Sequence, residues 1–596
     1  MSKLHKNQIN LILLAITFLA AVFFGIPLIS GEYLRGWDAP THIFFSSGYL
    51  NGWWNIWEPR WYGGYSKASY PPLSHQLIAI MTHLAGDLKL SYELVAWAFL
   101  SIAPFAAYRF SKSFVDEKSS IIAALLFVFL PSVRLTVFVF GQFAGFVGLV
   151  FLLLSVGAIG DFLRTGKKSA GIVAACLVAC SVASHHNTAI FLLPPVLIVT
   201  TIAQFEEKKC TVKCFAVRSA IIWAACAFAA LIVIFPFWVW LLDFKVQEPI
   251  PHPSRENFFK SLYPAQIFFL DIYGPLLILI PFIIARIIKE RIQMPLTAAY
   301  MFFMILGLGG TTPLPSLIYG VWWQWLTFER FEVWATVLLL PLAGQFILKM
   351  KSKALFYIVI LMSVLLVFLA LFWLIDPSKQ RITPSPIELD LVFKSFADYP
   401  ICEERYLALG FHYQFPDFST YTNAKTLDGM FHTARSDPLL RNSGIGSLGD
   451  ALSWDNGKNV LKRFLSRQIP VPAYCIFINE TSPEANEYKD IIIERGWKLK
   501  EKFSNKVSLW MNDNISKIQI TGGIKRLSRT DKFYGYLWGI LPLSFFFIAI
   551  FMNIIDNPLP YMAGFKVNIR RNFIKAIVEV HCERGRPSSK NLLRKN

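Results

Sequence analysis

The hydrophobic positions of this chain fall in long unbroken runs rather than in the spaced stripes of a water-soluble helix. The first run, Ile9 to Ile29, is about as long as a helical bilayer crossing requires, and it follows the basic start MSKLHK. No small-residue cleavage site comes after it, so it predicts an uncleaved anchor with the N-terminus inside. Comparable runs lie near 92–110, 119–138, 142–162, 169–186, 188–205, 218–241, 264–288, 294–309, 331–348, 354–375 and 533–555. With the anchor they predict about twelve spanning helices. Pro72–Gly86 is too short to cross and carries His75 and His83, so it predicts a helix lying in the interface.

Between 376 and 530 the pattern changes. ERYLALG, PAYCIFIN, WKLKEKF and KVSLWMN read as strands, whereas NVLKRFLSRQI and SPEANEYKDIIIERG read as helices. The fold class expected is an α-helical polytopic membrane protein with a small external α/β domain. Its parts are a transmembrane module at 1–375 with a first external loop at 31–91, the soluble domain at 376–530, a last transmembrane helix at 531–555 and a basic cytoplasmic tail at 556–596. Composition agrees, with 55% hydrophobic and only 16% charged residues.

The net charge of +19 would suggest nucleic acid in a soluble protein. Here the basic residues sit in short loops (RFSKSFVDEK, RTGKK, EEKKCTVKCFAVR, RIIKER, KMKSK) and in the tail, which orients them toward the cytoplasm and anionic lipid and leaves no role for nucleic acid. The same rule puts Asp38, His185–His186, the loop Asp243–Tyr263 and the domain 376–530 outside. Asn479-Glu-Thr and Asn514-Ile-Ser are glycosylation sequons, usable only on that side. Cys402 and Cys475 fall in the same domain, and the sequence does not decide whether they pair.

Candidate chemistry begins at GWDAPTHIFFSSGYL, just past the anchor. Asp38 and His42, four residues apart, share one helix face. Asp38 before Ala-Pro is a natural helix cap. At the outer rim of a bilayer, the carboxylate can also take a proton from a hydroxyl or hold a divalent ion, and His42 can assist it. The segment 51–75 is dense in Trp and Tyr, carries Arg60 and Lys67, and ends on Tyr70-Pro71-Pro72 and His75. An aromatic belt is the plain reading. Ring faces also suit sugars and isoprenoids, and the cations suit phosphate. His185 and His186 sit in a tight turn, from which one of them can approach the site. In LGLGGTTPLPSLIYGVWWQWLTFERFEVWATVLL, a loop-forming half precedes Glu329, Arg330 and Glu332 at a helix mouth. Glu329 and Arg330 read either as a structural pair or, for Arg330, as a cation for a phosphate leaving group.

Three stretches carry a family resemblance. Asp38 to His42 resembles the D-P-x-x-H stretch of archaeal oligosaccharyltransferases, and Tyr70–Leu73 resembles the P-P-L element in the first loop of protein mannosyltransferases. The region 311–335 resembles a subgroup of archaeal and bacterial membrane proteins described as related to pyruvoyl-tetrahydropterin synthase, although no three-histidine zinc set is evident here. The overall layout is that of the GT-C superfamily of membrane glycosyltransferases. The resemblance implies transfer of a sugar from a polyprenyl-phosphate-linked donor to a glycan, lipid or protein acceptor on the external face of the cell membrane. Asp38 and His42 would be catalytic, and Arg60, Lys67, Tyr70, His75, His185, His186, Glu329 and Arg330 would bind substrate. Asp38 would be the ligand of a divalent cation (Mg or Mn) if the reaction uses one, and no other cofactor is indicated. The W-W-D motif of oligosaccharyltransferases is not matched, since the chain has Trp53-Trp54-Asn55 and Trp322-Trp323-Gln324. The rival readings are a lipid-linked saccharide flippase, which would want polar residues along several spans, and a non-catalytic envelope-assembly protein.

Overall fold

The structure, a computed structural model, describes residues 6–207, 210–290, 293–375, 384–467, 470–512 and 527–556. The sequon at Asn514 and nearly all of the basic tail lie outside the described residues.

Among the described residues eight helices are long and apolar enough to cross a bilayer. Two bent pairs, Glu117–Val128 with Pro131–Val139 and Leu262–Ile278 with Ile280–Glu290, raise the number to ten. The runs at 169–186 and 294–309, expected to be full spans, form the shorter helices Lys168–Ser184 and Met294–Gly307. The bends have local causes. Pro131 restarts the first pair, and a π-helical turn follows at Leu135–Val139. The second pair carries a π-helical stretch at Ile267–Tyr273 and then Gly274 at φ +52°.

Two helices form the centre of the membrane unit, Phe143–Thr165 and Glu329–Leu348, whose apolar windows are 89% and 83% buried. Around them stand Asn7–Ile29, Val212–Val233, Lys353–Phe372 and Arg529–Ile554, at most 28% buried and so left to face lipid. Small residues set the close approaches at the centre. Gly157 lies against the Arg109 backbone and Gly160 against Ser113. Leu73–Ala85 is a 13-residue helix, about 20 Å long, and it ends at Gly86 in the left-handed region. It docks through a bond from Gln76 Nε2 to the Trp538 carbonyl (2.9 Å).

The soluble part holds a four-stranded sheet in the order Tyr406–Leu409, Cys475–Asn479, Val507–Met511, Lys498–Lys502. The first pair is parallel and the other pairs are antiparallel. The parallel crossover runs through the helix Gly457–Leu465. Alternation along the strands builds two apolar layers. Leu407, Leu409, Ile476 and Ile478 face Val460, Leu461 and Ile491. Tyr406, Ala408 and Phe477 face Phe415 and Phe418, in a layer that continues into Phe44, Phe45 and Trp61 of the membrane unit. Cys402 and Cys475 form a disulfide that ties the start of the strand Cys475–Asn479 to the helical turn Ile401–Glu404, which precedes its parallel neighbour. Asn479 is buried, with Nδ2 bonded to the Gly410 carbonyl (2.8 Å), so this sequon is not an open glycan acceptor in the folded domain.

The aromatic first loop is mostly interior. Trp61 is fully buried and stacks on Phe44 with centroids 3.8 Å apart, and Tyr62 and Tyr65 are also buried. These rings, expected to offer faces to a sugar, instead fill the seam between the helix Ala39–Asn51 and the soluble domain.

The segment carrying Asp38 is clamped by backbone. The N–H groups of Trp37 and Asp38 donate to the carbonyls of Val139 and Phe140 (3.1 and 2.9 Å). The clamp needs Gly141, whose φ is +68° and on which a Cβ would sit 2.5 Å from the Ala39 nitrogen and 2.8 Å from that of Asp38. Gly141→Ala adds about 1–2 kcal/mol of backbone strain to this clash. The variant should therefore melt several degrees lower in detergent and lose the ordering of Asp38. An unchanged melting temperature would show that the clamp is dispensable.

Candidate functional site

Asp38 opens the helix Ala39–Asn51, and its carbonyl accepts the His42 N–H (3.0 Å). Its carboxylate makes no side-chain cap bond, so the capping role read from the sequence is carried by the backbone alone. Burial pushes the carboxyl up to about 6, with Arg330 pulling it down and Glu329 adding to the rise.

His42 is buried one turn on. Its Nδ1 lies 3.0 Å from Nε2 of His75, and the two rings stack with centroids 5.2 Å apart. Tyr70 closes over both, 5.9 Å from His42 and 5.4 Å from His75. Burial, with Arg330 nearby, lowers His42 to about 3, so it is neutral at physiological pH. On the side of His75 is a cavity of about 20 Å³, room for a single water, which His42 does not line; Tyr49, Glu58, Tyr65, Lys67, Tyr70 and His75 do.

Arg330, at the mouth of the helix Glu329–Leu348, is the shared cation of the site. It lies within electrostatic reach of Asp38, His42, Tyr70, His185, His186 and His252. Its Nε is buried without a hydrogen-bond partner, as are Oε2 of Glu329 and of Glu332. Among the described residues no ion pair joins Glu329 to Arg330. Glu329 Oε2 lies 4.0 Å from His252 Nδ1, a ring whose charge burial disfavours. His185 caps the helix His186–Glu206 by accepting the Thr188 N–H at Nδ1 (3.3 Å), and it packs on Gly145 and Gly148. His186 packs against Phe237 with the rings tilted and their centroids 4.8 Å apart.

The fold thus brings Asp38, His42, Tyr70, His75, His185, His186, Glu329 and Arg330 to one locality. It does not bring Arg60 or Lys67 there as free cations. Arg60 Nε and Nη2 donate to Glu58 (2.7 and 2.9 Å), and Nη1 donates to Ser47 Oγ (2.9 Å) and the Ser419 carbonyl (2.8 Å). Lys67 Nζ donates to the carbonyls of Gly48 (2.5 Å) and Gly52 (3.0 Å), where a cation complements a helix C-terminus. Burial lowers this ammonium to about 8.

Three contributors escaped the sequence reading: Gly141, Tyr92 and His252. Tyr92, buried beside Asp38, stacks on Tyr33. His252 stands in the loop between Leu242 and Leu262 that covers the site from outside. That loop is held by Gln247 Nε2 on the His432 carbonyl and by the Glu248 N–H on the Arg441 carbonyl (2.9 Å). The only signal for it was its place in the polar external loop Asp243–Tyr263, where His252 opens the run HPSRE. Among the described residues no group of three or more His, Cys, Asp or Glu side chains is placed to hold a metal. A divalent ion would therefore find Asp38 as a ligand and take its other ligands from water and substrate phosphate.

No protein-family model matches the chain, and no curated protein matches it in sequence. Solved structures do match. The arabinofuranosyltransferase AftD from Mycobacteria superposes with a TM-score of 0.51 at 11% identity, over 86% of this chain and 42% of that one. The archaeal oligosaccharyltransferase AglB from Archaeoglobus fulgidus, solved with an inhibitory peptide and a dolichol-phosphate, gives a TM-score of 0.48 at 10% identity, over 85% and 75% of the two chains. The likeness is one of fold: this chain is a polytopic α-helical membrane protein that shares its fold with AftD.

Proposed function

We propose that the protein is a membrane glycosyltransferase that moves a sugar from a polyprenyl-phosphate-linked donor to a hydroxyl-bearing acceptor at the external face of the membrane. The observation that carries this reading is the convergence of Asp38, His42, Tyr70, the His185–His186 pair and Arg330 from four separate stretches of chain at the mouths of spanning helices. Ionisable groups at such a position are costly and so mark function. The AftD likeness adds a glycosyltransferase of the same fold.

In the proposed reaction the acceptor oxygen attacks the anomeric carbon as its proton passes to Asp38. The bond from that carbon to the phosphate oxygen breaks, and polyprenyl phosphate leaves. Arg330, with its unpartnered Nε, is placed to neutralise the leaving phosphate. Arg60 and Lys67 are committed elsewhere and hold the scaffold. The lightly buried outer helices offer lipid-facing surface along which an isoprenoid tail can lie. The disulfide in the soluble domain supports an oxidising, external side, as does the cytoplasmic clustering of basic loops.

Asp38→Asn should reduce release of polyprenyl phosphate from a labelled donor by about a hundred-fold or more without lowering the melting temperature, and unchanged turnover would remove Asp38 from the mechanism. The base must be ionised, so wild-type turnover should fall as pH drops through about 6 and level off above it. A rate flat from pH 5 to pH 8 contradicts the assignment. For orientation, Ser453 is exposed on the soluble domain. Ser453→Cys should react with an impermeant maleimide on intact cells, whereas the half-buried Cys210 and Cys214 should react only after lysis. The reverse pattern inverts the topology.

A further inference from the structure

The stretch 308–328 joins two helices of unequal length. Met294–Gly307 has 14 residues and rises about 21 Å, short of the roughly 30 Å hydrocarbon core of a bilayer. Its partner Glu329–Leu348 has 20 residues and rises about 30 Å, the whole core. Gly307 lies directly against the Glu332 side chain, with no room for a Cβ, so the short helix stops one turn inside the mouth at Glu329. The connecting chain therefore starts below the outer surface of the hydrocarbon.

That chain is apolar on both sides. No charged residue occurs from Met294 to Phe328. The neighbouring loop Asp243–Tyr263 exposes Asp243, Lys245, Glu248, Glu256 and Lys260, as a water-facing loop does. Within 314–325 the inward rings are Tyr319 and Trp323. Tyr319 packs on Phe191 and Phe331 (centroids 5.8 and 6.0 Å apart), and Trp323 packs on Phe328 (6.1 Å). The outward side chains include Leu317, Val321 and Trp322, which are 75%, 72% and 59% exposed. Phe259 and Leu262, more exposed still, stand where the bent span Leu262–Ile278 begins. The Phe258 N–H donates to Thr311 Oγ1 (3.1 Å), which ties that entry to this stretch. The apolar face is thus continuous with helices that already face lipid. The backbone of 314–325 is bonded within two short helical turns, Leu314–Tyr319 and Gly320–Trp325. Its irregular approach at Gly309 and Gly310 is covered by Ser254 and Arg255. Such a segment can lie at the boundary of headgroups and acyl chains without orphaned backbone groups, a depth at which Trp is favoured.

We propose that residues 314–325 are an interfacial segment seated in the outer leaflet, and that this seat holds the mouth carrying Arg330 at the level of lipid phosphates. The anion that Arg330 meets is then borne by a membrane lipid and does not arrive from water. The seat follows from length, composition and exposure. The lipid-borne substrate rests on the glycosyltransferase reading.

Nitroxide labels distinguish the two solvents. In full-length protein carrying Cys210→Ser, Cys214→Ser and Cys582→Ser, the disulfide stays and Cys176, Cys180 and Cys226 are buried. In nanodiscs of phosphatidylcholine and phosphatidylglycerol, a label on Val321→Cys should collide more with oxygen, which concentrates in lipid, than with a water-soluble nickel chelate. A label on Ser453→Cys, exposed on the soluble domain, should show the reverse. A Val321→Cys label that behaves like the one on Ser453→Cys overturns the proposal, whatever reaction the protein performs. Leu317→Asp combined with Val321→Asp should raise KM for the labelled polyprenyl-phosphate donor several-fold and leave kcat unchanged. KM for a water-soluble, short-chain prenyl-phosphate sugar should not move. Equal KM values for the long-chain donor in variant and wild type overturn the delivery of a lipid-borne phosphate. If the label reads lipid while the wild type turns over no polyprenyl-phosphate sugar, the seat stands and the glycosyltransferase reading falls.

Discussion

A guanidinium taken out of water is tolerable only when each of its N–H groups finds an acceptor, and Arg60 shows how much architecture that requirement can organise. Its acceptors come from three places: Glu58 in the first loop, Ser47 on the helix Ala39–Asn51, and the Ser419 carbonyl of the soluble domain. The cation also lies 4.5 Å above the Phe44 ring, the ring on which Trp61 stacks. One side chain thereby joins membrane unit, loop and soluble domain. Gly48 is the corollary, since a Cβ there would stand 2.8 Å from Glu58 Oε2 and push the ion pair off the helix. Removing either charge alone would strand the other in the seam, where an unpaired ion costs about 3–5 kcal/mol.

The same seam positions Asp38 and His42. The helix held by Arg60 and Lys67 is the helix that begins at Asp38 and carries His42, so these two cations fix where both side chains stand. At its other end the segment is fastened to Val139 and Phe140. Helix entries bring Arg330 and the two histidines to the same rim, and a loop with His252 lies over them. Buried oxygens on Glu329 and Glu332 and the Nε of Arg330 lack partners.

Much of this was legible from residues alone, for reasons that differ by feature. Long apolar runs announced the spanning helices because a bilayer imposes length, whereas the bend that follows Pro131 in the run 119–138 was not foreseen. Asp38 and His42 were legible because four residues make one helical turn. The soluble strands were legible because their period of two is local. What was not legible depends on contacts between distant residues. Gly141 looks like any loop glycine until Asp38, about a hundred positions earlier, is found against it. Arg60 and Arg330 are the same residue type near aromatic rings, and only the fold separates the committed guanidinium from the available one. A hint did exist, because Glu58-Pro59-Arg60 is an acid and a base held by a rigid corner, the makings of an internal pair. Lys67 gave no hint, since the carbonyls it caps lie fifteen and nineteen residues back.

The soluble domain enters the chain after the helix Lys353–Ile375 and leaves it into Arg529–Asp556, so two membrane-embedded struts leash it. A module anchored at both ends is presented to its docking face at a local concentration of about millimolar. Its hold on the aromatic seam can therefore be weak in isolation and still be occupied nearly all the time. A contact of that kind permits brief parting of the two halves without dissociation, so the seam around Arg60 can open and reclose in place.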